Sequence, residues 1–163
     1  MSSLNPLLVA WDEAHREFAI ALNGVPDEDL WKRPHPRLLS IGELAGHVAY
    51  WQASWLLGGG DDRPDLSTLP IQSPFLNHAF RYYTPSLDTP VALPMNTEEV
   101  AREVISIHQI CRTVAAERES DSSYGGQWGT WGNLVQYQVF HVAYHAGQVY
   151  SVRHLLGHET EDN

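Results

Sequence analysis

Cysteine is almost missing: Cys111 stands alone in 163 residues. A lone thiol excludes an intrachain disulfide framework and suits a reducing compartment, so a cytoplasmic protein is expected. Basic residues are scarce too, ten Lys and Arg against twenty Asp and Glu, for a net charge of −10 with histidine neutral. They form no dense cluster. Phosphate backbones and anionic membrane surfaces both need one, so no nucleic-acid partner and no membrane attachment are expected. No apolar run reaches about 18 residues, which argues against a spanning helix. The opening residues, MSSLNPLLVAWDEAHREF, lack the basic-then-apolar order of an export signal and read as the start of a helix. No strand pattern matches the helical ones in strength, and no internal repeat or second domain is visible, so residues 1–163 are expected to form a single domain.

What the chain does have is a hydrophobic fraction of 43%, six Trp and nine His. One domain of this length can bury a core without staples, and the tryptophans supply large side chains for it. Apolar spacing predicts four helices. The first runs from about Pro6 to Asn23, with Pro6 in the first turn and Gly24 as the stop. Its stripes, Leu8-Trp11-His15-Phe18-Leu22 and Leu7-Trp11-Ala14-Phe18, share Trp11 and Phe18, so the buried face is centred there. A polar stretch with Pro26, Pro34 and Pro36 follows. Ser40 and Glu43 have capping-box spacing and begin helix two, whose apolar face is Leu44, Val48, Trp51 and Trp55, with His47 in the same stripe. Gly58-Gly59-Gly60 ends it.

The link to helix three is about three dozen residues long and rich in Pro, Gly and Asp, with a short helix predicted over Pro74 to Tyr83. So long a connection fits a crossover that lets helices two and three run parallel, packed across one end of a bundle. Helix three starts near Asn96 or Thr97, where Asn96 and Glu99 form a capping signal. Its seam is Val100, Val104, Ile107, Cys111 and Val114. A Ser/Gly turn from Ser120 to Gly126 leads on to helix four, from about Trp131 to Leu156, stopped by Gly157. The fold class is therefore all-α, a four-helix bundle.

Chemistry concentrates in helix four. Its inward seam reads Leu134, Gln138, His141, His145, Gln148, Val152, Leu155, apolar at the ends and polar in the middle. A buried polar group without a partner costs roughly 1–3 kcal/mol, so four adjacent polar seam positions call for a reason. His141 and His145 are one turn apart on one face, and two imidazoles so placed can converge on one ion. His47, in the inward stripe of helix two, is the natural third ligand. Three neutral imidazoles leave an open coordination position for water or substrate, the pattern of a catalytic metal site. Zn or Ni suits such ligands best, with Fe and Mn also compatible.

Other residues support more than one reading. Glu43 is one turn before His47 and either orients its ring or only closes the capping box with Ser40. Tyr137, Gln138 and Gln148 are candidates to line the pocket. His15 and His108 are either supports of the ligands or partly buried, hydrogen-bonded histidines. His78, in the link, is either a lid residue or solvated. His35, His154 and His158 read as surface or helix-end residues, and Cys111 as a small core side chain with no basic neighbour to activate it.

The segment His141-Val-Ala-Tyr-His145-Ala-Gly147-Gln148, with Arg153-His-Leu-Leu-Gly157 after it, resembles the C-terminal signature of the DinB/YfiT-like metalloenzyme superfamily. Ser40-Ile-Gly-Glu-Leu-Ala-Gly-His47 resembles its second-helix motif. The resemblance implies an up-down-down-up bundle, a homodimer, and one divalent metal on His47, His141 and His145. It further implies an enzyme acting on a small molecule. Characterised relatives include S-transferases that use low-molecular-weight thiols and a mycothiol-dependent maleylpyruvate isomerase. The expected function is thus a metal-dependent transferase or hydrolase with a small-molecule substrate, with the use of a thiol cosubstrate left open. The alternatives are a non-catalytic metal- or small-ligand-binding module with a degenerate site, and a core polar network with no metal.

Overall fold

The structure, a computed structural model, describes residues 3–59, 64–82 and 89–160. It is mostly helical, with helices α1 (Asn5–Leu22), α2 (Asp27–Leu30), α3 (Ile41–Leu57), α4 (Thr97–Ala116) and α5 (Trp131–Leu155). A minor antiparallel hairpin, β1 (Ser123–Gly125) and β2 (Gly129–Thr130), lies between α4 and α5. The four helices expected from apolar spacing are α1, α3, α4 and α5. None of the helices described is long and apolar enough to cross a membrane.

Local chemistry sets the helix ends. Pro6 sits in the first turn of α1. Ser40 opens α3 and Asn96 opens α4, each in a full capping box with the glutamate three residues on, Glu43 and Glu99. Thr130 caps α5 through its hydroxyl, which accepts from the Asn133 amide at 3.2 Å. Past α5, Gly157 takes φ +88°, the left-handed conformation that ends a helix cheaply only at glycine.

The long helices meet through particular pairs. The Tyr150 hydroxyl of α5 donates to Glu17 of α1 at 2.7 Å, and Arg153 donates to the Ala21 carbonyl at 2.8 Å. Between α1 and α4, Asp12 takes His108 at 2.9 Å and Arg112 at 2.7 Å, while Thr97 donates to the Val25 carbonyl just past α1. Ser3, before α1, bridges to Glu119, after α4. Tyr124 in the hairpin donates to the Trp55 carbonyl near the end of α3. Helix α3 packs on both α4 and α5.

The core is Trp11, Phe18 and Leu22 from α1, Val48 and Trp51 from α3, Val100, Val104, Ile107 and Cys111 from α4, and Leu134, Val142 and Val149 from α5. Helix α3 is apolar nearly all round, the pattern of a central helix. From Ile41 to Leu56, every residue except His47 is buried.

Four expectations about the connections change. The Pro-rich stretch contains α2, which starts after Pro26 with Asp27, Glu28 and Asp29 in its first turn, where acidic side chains suit the positive end of the helix. The Ser120 to Gly126 turn carries strand β1, because glycines at 125, 126 and 129 all adopt positive φ and let the chain fold back on itself. Of the helix expected over Pro74 to Tyr83, His78–Arg81 forms as a 3-10 turn, and a second 3-10 turn, Leu66–Thr68, lies earlier in the link; Tyr83 lies outside the described residues, as does Gly60 after α3. Instead of crossing a bundle end, this part of the link lies beside the middle of α3. Phe75 and Phe80 are fully buried, and Trp51 donates to the Arg81 carbonyl at 3.0 Å. The physical reason is Gly46: with no side chain there, the Phe80 ring rests directly on the helix. At the other end of the seam, Leu155 is 63% exposed, so the inward seam of α5 closes at Val152.

Candidate metal centre

His47 from the middle of α3 meets His141 and His145 from successive turns of α5. Ring centroids are 5.3 Å apart for His47 and His141, 4.7 Å for His47 and His145, and 4.6 Å for His141 and His145. One ligating nitrogen from each can be chosen so that all three lie within 4.8 Å of one another. Tetrahedral ligands on a zinc ion would be roughly 3.3 Å apart, so the spacing is of the right order for one ion. Among the described residues no fourth His, Cys, Asp or Glu joins this group.

Hydrogen bonds fix which nitrogen faces inward. His47 Nδ1 is 3.0 Å from the Phe80 carbonyl oxygen, which can only accept, so Nδ1 carries the proton and the Nε2 lone pair is free. His145 Nδ1 lies 2.7 Å from Gln148 Oε1, and the Gln148 amide nitrogen donates to the Tyr144 hydroxyl at 3.2 Å. That chain of donors again leaves Nε2 of His145 unprotonated. His141 Nδ1 is buried and has no partner among the described residues. Burial, then the neighbouring His145, depresses the His47 pKa to about 3. Burial takes His145 to about 4 and holds His141 well below its ordinary value, with His145, His47 and His15 adding to the effect. All three imidazoles are therefore neutral at pH 7, the state a metal requires of them.

No hydrogen bond joins Glu43 to His47. Its carboxylate takes a two-pronged ion pair from Arg33, at 2.6 and 2.8 Å, and accepts from the Ser40 amide, the Val91 amide and the Tyr82 hydroxyl. Burial of the carboxyl opposes ionisation, but these donors and the Arg33 charge outweigh it, and the Glu43 pKa is lowered. The residue that orients His47 is Phe80, through its backbone carbonyl. No side-chain pattern marks such a contact in a sequence, and Gly46 is the only local hint.

Gln148 reaches His145, and Tyr137 lies near-parallel to His141 with ring centroids 5.9 Å apart. Gln138 is fully buried, but neither of its amide atoms has a partner among the described residues. His15 and His108 are absent from the ligand group. Their rings stack at 3.8 Å in a neighbouring buried cluster, with His15 on Gln52 and His108 on Asp12. His78 is exposed and bonds to the Tyr50 hydroxyl at 2.8 Å. Cys111 is fully buried, and burial pushes its pKa up, which suits a core residue and not a nucleophile.

Two cavities flank the histidines and share His47, Tyr82, Tyr144 and His145 as their common wall. One, of about 520 Å³, extends over Trp51, Trp55, Tyr137, Phe140 and His141. The other, of about 540 Å³, runs between Leu38, Leu39 and Leu44 on one side and Val152 and Leu155 on the other, with Arg37 and Gln148 in its lining. Tyr82, Phe140, Tyr144 and Arg37 were not singled out from the sequence. The aromatic residues at 137, 140 and 144 of α5, spaced three and four apart beside the His pair, were the available signal.

Three neutral imidazoles converging beside open cavities in a helical protein define a candidate metal-binding protein. A model of the DinB superfamily matches residues 10–149, and the chain belongs to that superfamily. No curated protein and no solved structure matches it.

Proposed function

We propose that this protein is a metal-dependent enzyme in which His47, His141 and His145 hold one divalent ion, and that it catalyses a transfer or hydrolysis on a small molecule. The observation that carries this reading is the set of three neutral rings, two of them with Nδ1 committed to protein acceptors and Nε2 free, facing one another beside solvent-reached cavities. A bound ion would act as a Lewis acid there, lowering the pKa of a water or thiol; Zn and Ni suit the ligands best, Fe and Mn less well. The chain's own part is to hold the rings in one tautomer, keep them neutral, and line the approach with Tyr82, Tyr137 and Tyr144. The partial exposure of His47 and the lack of a fourth ligand among the described residues favour an enzyme over a closed structural clip.

The same reading includes a single-domain, four-helix bundle running up-down-down-up. It is supported by the pairings of Ser3 with Glu119, Thr97 with Val25, Glu17 with Tyr150, and Tyr124 with Trp55. The thiol cosubstrate and the homodimer belong to the proposal on the strength of the family resemblance, and the cytoplasmic location on the strength of the lone cysteine.

Metal analysis of untagged protein tests the centre. One ion per chain in the wild type, with little in His141→Ala, is the expected result. Wild-type protein that is empty and resists loading with Zn, Ni, Mn and Fe overturns it.

A further inference from the structure

Resting on the reading of the triad as a reaction centre, we propose that it is served from two sides by two chemically different small molecules. An aliphatic compound ending in a carboxylate takes the Arg37 groove, and an uncharged aromatic ring takes the pocket over Trp51, Trp55, Tyr137 and Phe140.

Each cavity is within the usual range for a small-molecule site, roughly 300–1,000 Å³. Their linings differ in kind. Among the described residues that line the aromatic pocket there is no Asp, Glu, Lys or Arg. Its rings are arranged edge-on and offset, with Trp51 and Trp55 centroids 4.7 Å apart, Trp55 and Tyr137 5.4 Å, and Tyr137 and Phe140 5.7 Å. Aromatic pairs attract in these geometries, and another flat ring extends the set. A cationic ligand is disfavoured, because the Arg81 guanidinium already lies over the Trp51 ring, 5.9 Å from its centroid.

The Arg37 groove has aliphatic walls, and among the described residues that line it Arg37 is the charged one, with no Glu or Asp. Leu38 and Leu155, in those walls, are 40% and 63% exposed. An aliphatic chain lying between them would cover this apolar surface, and a carboxylate at its end would meet a guanidinium that no described carboxylate occupies. The shared wall of His47, Tyr82, Tyr144 and His145 keeps the two ligands apart while both border the histidines.

Binding is measured on the full-length protein, as purified and again with chelator present. Octanoate and octanol are followed by calorimetry and 4-fluorophenol by fluorine NMR. The variants Arg37→Gln and Phe140→Ala change exposed side chains and are not expected to disturb folding. Octanoate should bind about tenfold more tightly than octanol, about the gain from one charge-assisted contact. Arg37→Gln should abolish that preference and leave 4-fluorophenol binding unchanged. Phe140→Ala should weaken 4-fluorophenol at least about fivefold and leave octanoate unchanged, roughly the worth of one aromatic pair. Saturating octanoate should not displace 4-fluorophenol. Competition between the two, a variant that affects both or neither, or no binding of either up to about 10 mM, where affinities fall below the weakest useful range, overturns the proposal. Metal content measured on the same samples separates the cases: a failed binding pattern with one ion per chain removes the two-sided arrangement and keeps the metal centre, while an empty protein removes the centre.

Discussion

Acid should unfold the metal-free protein at a pH where most domains are still stable. The perturbation is a fall from pH 7.5 to pH 5 in the presence of chelator. His15 and His47 have pKa values near 3, and His145 near 4, against 6.5 in the unfolded chain; burial is the leading cause for each. Because the folded values are depressed, the unfolded chain binds more protons. Stability is complete above about 6.5 and is lost as the pH drops from there toward the folded values. Each of these histidines costs roughly 2 kcal/mol by pH 5, so the three together cost roughly 6 kcal/mol. Total stability of a domain is about 5–15 kcal/mol, so this is a large part of it. The assay is urea unfolding followed by tryptophan fluorescence at intervals between the two pH values. The free energy should fall at roughly 4 kcal/mol per pH unit near pH 5. A value that stays within about 1 kcal/mol across the range would refute the reasoning, because it would mean that these rings are not held neutral by the fold.

Three further outcomes are expected. Glu43→Ala strips the charge from the buried Arg33 pair and should cost about 3–5 kcal/mol, read as a lower urea midpoint with unchanged slope; a loss under about 1 kcal/mol would show that Arg33 finds another acceptor. Gly46→Ala places a methyl group against the Phe80 ring, whose backbone carbonyl holds His47, and should weaken metal binding about 10–100-fold in a competition titration; unchanged affinity would remove Phe80 as the orienting contact. Gln138→Leu replaces a buried amide that has no described protein partner by an apolar group of similar size, and should raise stability by about 1–3 kcal/mol with metal content unchanged; a loss of stability of that size would mean that the amide is well satisfied in solution.

The helices were legible because each carries its own punctuation. Ser40 with Glu43 and Asn96 with Glu99 mark starts within four residues of sequence, and Gly157 marks a stop. The histidine group was legible for a related reason: His141 and His145 break an apolar seam that should contain Leu or Val, and His47 does the same in α3. What escaped depends on residues distant in the chain. Arg33 and Glu43 are ten apart, Glu43 and Val91 are 48 apart, and His47 meets a carbonyl 33 residues on. Backbone acceptors leave no residue-type signature, so the partner of His47 could not be read beforehand; of the roles open to Glu43 the capping box with Ser40 is present, and its ion pair with Arg33 is an addition. The hairpin was hidden because three glycines at positive φ, and not an alternating apolar pattern, allow its turn.

Helix α3 is enclosed by the rest of the protein along nearly its whole length, and before its last residue His47 is its one opening to the outside. A change almost anywhere else on that helix must be accommodated by neighbours on every side. The walls over Arg37, Leu38, Phe140 and Tyr144 are free of that constraint, since their side chains end in solvent. New specificities can therefore arise by mutating the rim while the histidine centre stays fixed, a division of labour that lets one scaffold diversify what it accepts without rebuilding how it works.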